Sequence, residues 1–195
     1  RHTRPGFGDV WLRHIGIGEI THFGCHDMEG LAADFAVTDE TQQQLEPILL
    51  DAARRGWPVH MHAILDVSAS AILDVWERVD RQVSIRSSRW SLAHAEAISD
   101  RNLDRVAALG AGIAVQDRLV YRATDSARVW GDDVARQAPP LRSILERGIP
   151  LGAGSDATRV ASPNPWVSLW WLVTGHTFDE GPQRDPAQCL TRTEA

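Results

Sequence analysis

Three histidines follow short apolar runs, where their side chains could act together. His60 and His62 stand two residues apart near the end of the apolar run 57–63, and His94 ends the next such run. Side chains two residues apart on a strand share one face, so His60 and His62 should point the same way. Imidazole nitrogens bind divalent metals, which activate water for hydrolysis. For each histidine alone, the structural alternative is a hydrogen-bonded polar residue.

The segments that would position these histidines alternate between strand-like and helix-like patterns. Strands are predicted at 10–17, 57–63, 90–94, 112–116 and 150–154, and helices at 38–55, 68–79, 100–109, 140–147 and 164–175. This alternation with short connections indicates parallel βαβ units and an α/β fold. The segment 116–138 is longer than a typical connection and is predicted to be a functional loop.

Further polar residues fall where predicted strands end. Asp156 follows the run 151–154, and Gln116 and Asp117 close the run before it. In parallel α/β folds, ligands bind at the C-terminal ends of the strands. Asp156 could instead cap the following helix, and Gln116 and Asp117 could shape a loop. Two imidazoles and a carboxylate from separate strands would form a divalent-metal site with an open position for water.

Two architectures, a doubly wound sheet and a barrel, fit the alternating pattern. The sequence has no Gly-x-Gly-x-x-Gly after any predicted strand and no phosphate-binding loop. Those motifs mark the nucleotide-binding doubly wound sheets, so their absence disfavours that architecture.

Composition narrows the function classes. The 195 residues carry a net charge of -6, which gives no indication of a nucleic-acid partner. The two cysteines are too few for a disulfide framework, and no apolar run has the length of a membrane span, so a cytoplasmic protein is predicted. All 20 basic residues are arginines. Schiff-base chemistry and sites built on a modified lysine are therefore excluded within these residues.

The two ends of the sequence suggest a truncated chain. It begins with Arg1 rather than methionine, and Thr191 with Glu194 has the spacing of a helix capping box close to the last residue. A helix start with little chain after it predicts truncation at the C-terminal end as well.

Three motifs in order resemble the amidohydrolase superfamily: His-x-His-Ala at 60–63, Ala-His-Ala-Glu at 93–96 and Gly-Ser-Asp-Ala at 154–157. The likeness runs from about His14 to the C-terminus and is greatest to the amidohydrolase 3 branch, which includes N-substituted formamide deformylase-like enzymes. It implies a metal-dependent (β/α)8 barrel with one or two divalent ions, zinc being expected. Residues 1–195 would be the C-terminal part of that barrel domain, with strands four to eight present and the N-terminal strands missing.

The resemblance also implies roles for individual residues. His62 and His94 would be metal ligands from the fifth and sixth strands, and Asp156 a metal ligand and the general base. His60, beside His62, would either support a metal ligand or contact the substrate, and it is the histidine that could stabilise the oxyanion. Related branches bridge two metals with a carboxylated lysine, for which this chain offers Glu19. Cys25 is an alternative bridging ligand, and a site with a single metal is a third alternative.

The predicted activity is hydrolysis of a non-peptide C–N bond, an amide or formamide, in a small-molecule substrate. A ring-amidine deaminase of the same superfamily is one alternative, because the same activated water would serve it. The other is a catalytically inactive fragment or subunit that folds only with a partner. A homo-oligomer is a candidate assembly, and neither nucleic acid nor a membrane is an expected partner.

Overall fold

The computed structural model describes residues 3–32 and 34–195. These residues form a parallel sheet of five strands, each hydrogen-bonded to the next along the chain. The strands are β1 (Ile17–Glu19), β2 (Val59–Ala63), β3 (Ser91–His94), β4 (Gly112–Gln116) and β5 (Leu151–Gly154). The helices are α1 (Asp39–Arg54), α2 (Asp66–Asp80), α3 (Asp100–Leu109), α4 (Leu119–Trp130), α5 (Asp132–Gln137), α6 (Leu141–Glu146) and α7 (Pro165–Thr174), with 3-10 turns at Phe23–Cys25 and Pro186–Gln188.

The strand order decides between the two architectures. A doubly wound sheet reverses its strand order at a switch point, whereas strands of a (β/α)8 barrel follow one another around the sheet. Here the order β1-β2-β3-β4-β5 is strictly sequential. The α/β prediction is confirmed, and the chain forms five consecutive strands of the barrel type.

Local sequence signals explain where most helices begin and end. The Thr38 hydroxyl accepts a hydrogen bond from the Thr41 N–H at 3.1 Å and caps α1. Asn164 caps α7 by accepting from the Trp166 N–H at 3.1 Å, and proline occupies the first position of that helix. Gly175 ends α7 in the left-handed conformation. None of the helices among the described residues combines the length and the apolar character needed to cross a membrane.

The core lies between the sheet and the helices that pack on it, with α2 between α1 and α3. Its largest side chains are the fully buried indoles of Trp76, Trp90 and Trp171. The rings of Trp76 and Trp90 pack edge to face at 5.3 Å. The Trp90 indole N–H also donates to the carbonyl oxygen of Trp57 at 3.0 Å. This bond ties the start of β3 to the residues that precede β2.

Replacing Trp90 with phenylalanine is expected to lower the free energy of unfolding by about 1–3 kcal/mol. The change leaves the buried Trp57 carbonyl without its donor and removes ring atoms from the core. Urea unfolding measures the loss. The matched control is Trp166→Phe, at an indole that is 72% exposed and should change the unfolding free energy by less than about 0.5 kcal/mol. Equal losses in both variants would contradict the prediction.

Two predicted elements were wrong. The apolar stretch 10–17 is a strand only from Ile17, because Asp9 accepts hydrogen bonds from the N–H groups of Trp11 and Leu12 and turns the chain there. The segment 116–138 is not a long loop but contains α4 and α5.

Candidate metal centre

One carboxylate and two imidazoles converge at the C-terminal end of the sheet. Glu19 ends β1, His62 lies in β2 and His94 ends β3. Glu19 Oε1 accepts hydrogen bonds from His62 Nδ1 at 2.6 Å and from His94 Nε2 at 2.7 Å. One ligand atom from each residue lies within 4.8 Å of the other two. Two imidazole nitrogens and a carboxylate oxygen are the donors that zinc and related divalent ions take, so the residues present fit a metal.

A second carboxylate, Asp27, orients His62 from the opposite side. Asp27 is fully buried, and its Oδ1 lies 2.8 Å from His62 Nε2. Its Oδ2 accepts the backbone N–H groups of Ile64 and Leu65 at 3.0 and 2.8 Å. A histidine that binds a metal through one nitrogen commonly donates its other N–H to a carboxylate. His62 has this arrangement, because its Nδ1 is directed at Glu19. Its Nε2 donates to the carbonyl oxygen of Met28 at 2.8 Å and lies at the same distance from Asp27 Oδ1.

The turn at Asp27–Gly30 supplies this carboxylate. The Gly30 N–H donates to the Asp27 carbonyl at 2.9 Å, and the Gly30 carbonyl accepts the indole N–H of Trp130 in α4 at 2.7 Å. Gly30 has a φ of 66°, and an added Cβ would lie 2.3 Å from Ile64 Cγ2. Only glycine fits this turn, which packs directly against the end of β2.

Without a metal, the contacts between His62 and Glu19 shift the pKa values of the two side chains in opposite directions. Burial alone lowers the pKa of His62, but hydrogen bonds to Asp27 and Glu19 outweigh it and raise this pKa to about 9. The hydrogen bonds from His62 and His94 hold the pKa of Glu19 well below its usual range. A metal must therefore displace the proton that lies between His62 and Glu19, and its affinity should increase with pH.

The metal-free protein is expected to lose roughly 1–3 kcal/mol of stability between about pH 6 and about pH 9.5. The His62 pKa is raised from 6.5, so its stabilisation is complete below 6.5 and disappears as pH rises through about 9. The Glu19 pKa is lowered from 4.5, so its contribution is complete above 4.5 and constant across this range. Urea unfolding in chelator at the two pH values measures the loss. It should shrink in Glu19→Gln, and an undiminished loss in that variant would contradict the assignment.

These groups face a cavity of about 150 Å³. Its wall comprises Glu19, Ile20, His26, Met28, Glu29, His62, Ile64, His94, Arg118, Asp156, Arg159 and Val160. Met28, His94 and Asp156 have left-handed backbones, with φ values of 55°, 70° and 55°. Residues other than glycine rarely adopt this conformation, which costs about 1–3 kcal/mol and is concentrated at functional sites.

The structure places Asp156 in the cavity wall but not in the cluster of candidate ligands. It follows β5, which is two strands away from β3, and two strand spacings amount to about 9–10 Å. Asp156 is exposed, and α7 is capped by Asn164 instead. The capping alternative for Asp156 is therefore wrong, and its role as a ligand stays a prediction.

His60 does not line the cavity, contrary to the position expected for a substrate contact. It lies two residues before His62, about 6–7 Å from it along the strand and away from the C-terminal end. Its Nδ1 is 2.8 Å from the hydroxyl of Ser91, beside a second cleft.

Two of the remaining polar candidates, Cys25 and Asp117, have structural positions. Cys25 packs in the hydrophobic core, where burial raises its thiol pKa to about 11 and disfavours the thiolate that metals bind. Asp117 is fully buried and accepts the Ser168 hydroxyl at 2.7 Å, which joins the end of β4 to α7.

Comparison with known proteins assigns the chain to a family. The family model Amidohydro_3, described as the amidohydrolase family, matches residues 2–195. The chain belongs to the amidohydrolase family. The parallel strands with ligand-type side chains at their C-terminal ends accord with that membership.

Three individual proteins are similar to parts of this chain. Protein LONG AFTER FAR-RED 3 of Arabidopsis thaliana is 30% identical over 129 residues, which are 65% of this chain and 22% of that protein. Crystal structures of uncharacterized metal-dependent hydrolases from Pyrococcus furiosus and Pyrococcus horikoshii superpose with TM-scores of 0.61 and 0.56 at 24% and 23% identity. They cover 78% and 68% of this chain, which spans 30% and 26% of theirs, and they share its fold.

Asp27 and Arg118 are the residues of this amidohydrolase site that sequence reasoning missed. Asp27 lies in a connection, 35 residues before His62, and no sequence pattern around it indicates a functional residue. Arg118 directly follows Gln116 and Asp117, which were predicted to end a strand. Its own position at that strand end therefore indicated that it could reach the site.

Proposed function

We propose that this amidohydrolase chain provides the metal centre of a hydrolase that cleaves a non-peptide C–N bond, an amide or formamide, in a small molecule. The observation that carries the proposal is the position of Glu19 Oε1, 2.6 and 2.7 Å from nitrogens of His62 and His94. The buried Asp27 behind His62 adds the outer partner that metal-binding histidines use.

In this proposal Glu19, His62 and His94 hold a divalent ion, with zinc as the first candidate. A divalent ion at this position would supply Lewis acidity and make water easier to deprotonate near neutral pH. Asp27 and the carbonyl oxygen of Met28 keep the proton of His62 on Nε2, so that Nδ1 is the nitrogen directed at the centre. The 195 residues contain no lysine, and we propose that Glu19 takes the place of a carboxylated lysine.

Asp156 is proposed as the group that moves protons. It is an exposed carboxylate in the wall of the same cavity, with its backbone held in the left-handed conformation. It accepts the proton of the attacking water and returns it to the nitrogen of the leaving amine. This role needs access to water and to the substrate, which its exposed position gives.

The test combines metal analysis with product analysis on this chain and on the full reading frame that contains it. We expect about one divalent ion or more per chain, amine release from N-substituted formamides, and loss of both after chelation. Release of ammonia from ring amidines, without amine from formamides, would favour the deaminase alternative. Metal-independent hydrolysis, or bound metal with no hydrolysis of any C–N substrate, would overturn the proposal.

A further inference from the structure

Arg118 is a buried cation in the wall of the cavity and has no part in the proposed hydrolysis. It directly follows β4, between that strand and α4, and its side chain is only 2% exposed. Its guanidinium carbon lies 6.0 Å from the centre of the Trp130 ring. Because a buried charge is costly unless it is compensated, the partners of each guanidinium nitrogen show what the side chain can do.

Two of the three nitrogens are held by Glu96, which is fully buried. Nε donates to Glu96 Oε1 at 3.2 Å, and Nη2 donates to Glu96 Oε2. This paired contact fixes the plane of the guanidinium and compensates its charge from the side away from the cavity, since Glu96 is not a wall residue.

The third nitrogen, Nη1, is buried and has no hydrogen-bond acceptor among residues 3–32 and 34–195. The nearest carboxylate oxygen is Glu29 Oε2 at 3.6 Å, which is too far for a hydrogen bond. Glu29 is itself a wall residue, so Nη1 is directed toward the cavity. A rigidly held guanidinium thus presents an unsatisfied N–H donor to the space beside Glu19, His62 and His94.

We infer that Arg118 binds a carboxylate of the ligand through Nη1, so that the site selects small acids. An anionic oxygen would satisfy the donor and gain from the charge of Arg118, and Arg159 adds a second cation to the same wall. The cavity of about 150 Å³ has room for a small acid. The inference deepens the proposed function and rests on it for the view that this ligand is a substrate.

Glu29 is the group that such a ligand must displace. Its side chain is 33% exposed and can turn toward solvent, whereas Glu96 cannot. A carboxylate ligand therefore competes with Glu29 for Nη1. Removal of the Glu29 charge should strengthen binding of an acid.

The test compares succinamate with succinamide, which differ only in a carboxylate and a carboxamide. Binding to the metal-loaded protein is measured by ligand-observed NMR titration. We expect succinamate to bind about tenfold more tightly than succinamide, because hydrogen bonds to charged groups have about this effect. Arg118→Lys keeps a charge for Glu96 but loses the forked second donor, so the preference should fall to about twofold.

Three further variants keep the interpretation specific. Glu29→Gln should bind succinamate about two- to fivefold more tightly. The double variant Arg118→Gln/Glu96→Gln removes both charges of the buried pair and should also lose the preference, even if Arg118→Lys fails to fold. His94→Ala should retain the preference, because the carboxylate is bound by Arg118 and not by the metal.

Four results would each overturn the inference. The preference for succinamate could stay unchanged in a folded Arg118 variant, or it could disappear in His94→Ala. Succinamate could bind more weakly to Glu29→Gln, or neither probe could bind. Failure of the proposed function has a different signature, since probe binding would keep its dependence on Arg118 while formamide hydrolysis is absent.

Discussion

Replacing His94 with alanine is expected to remove most of the bound divalent metal while the protein stays folded. His94 ends β3 and provides one of the three donors that converge on the centre. Loss of an outer partner of a metal ligand typically costs 10–100-fold in affinity, so loss of a ligand should exceed about 100-fold. Metal content after dialysis, measured by plasma mass spectrometry, and competition with a chelator give the result.

The matched control is His60→Ala. His60 lies in β2 and bonds Ser91, away from the cavity. The variant should keep its metal, because His60 contributes no atom to the cluster. Loss of metal in His60→Ala, or full retention in His94→Ala, would show that the ion binds elsewhere.

Replacing Asp27 with asparagine is expected to weaken both metal binding and folding. One Asp27 oxygen lies 2.8 Å from His62 Nε2, and the other accepts hydrogen bonds from the N–H groups of Ile64 and Leu65. An asparagine side chain has a single acceptor oxygen, so one side of this arrangement must lose its partner. We expect metal affinity to fall about 10–100-fold and the unfolding free energy of the metal-free protein by about 1–3 kcal/mol.

Asp80→Ala separates these two effects. Asp80 Oδ1 accepts the Ile85 N–H at 2.8 Å after α2, far along the chain from the centre. This variant should lose stability but keep the affinity of the parent for metal. If the Asp27 and Asp80 variants had the same metal affinity, Asp27 would be a structural residue only.

The helices and strands were largely predictable because their signals are local. α3 and β4 occupy 100–109 and 112–116 as predicted, and Thr38 and Asn164 cap helices as their residue types indicate. The missed helix α4 also has such a signal, since its buried residues recur with a helical period. They are Leu119, Val120, Ala123 and Ser126. The backbone of Arg122 is non-helical and kinks this helix, a feature that the sequence pattern does not show.

The site was less predictable because it depends on contacts between distant segments. Residue type and strand position singled out His62 and His94, and the resemblance to the amidohydrolases added Glu19. The structure brings these three residues together. The same reasoning grouped His60 with them, because a shared strand face does not show which residue lies nearer to the C-terminal end of the strand. Asp27 carries no local signal, since its partners become neighbours only when the turn packs against the end of β2.

The position of Trp130 gives the protein an optical reporter of its own site. Its indole N–H is bonded to Gly30 in the turn that carries Asp27, and its ring lies beside the guanidinium of Arg118. Movement of either neighbour changes the electric field at the indole. The fluorescence spectrum of the unlabelled protein, after subtraction of that of Trp130→Phe, should therefore shift both when the centre fills and when Arg118 gains a ligand.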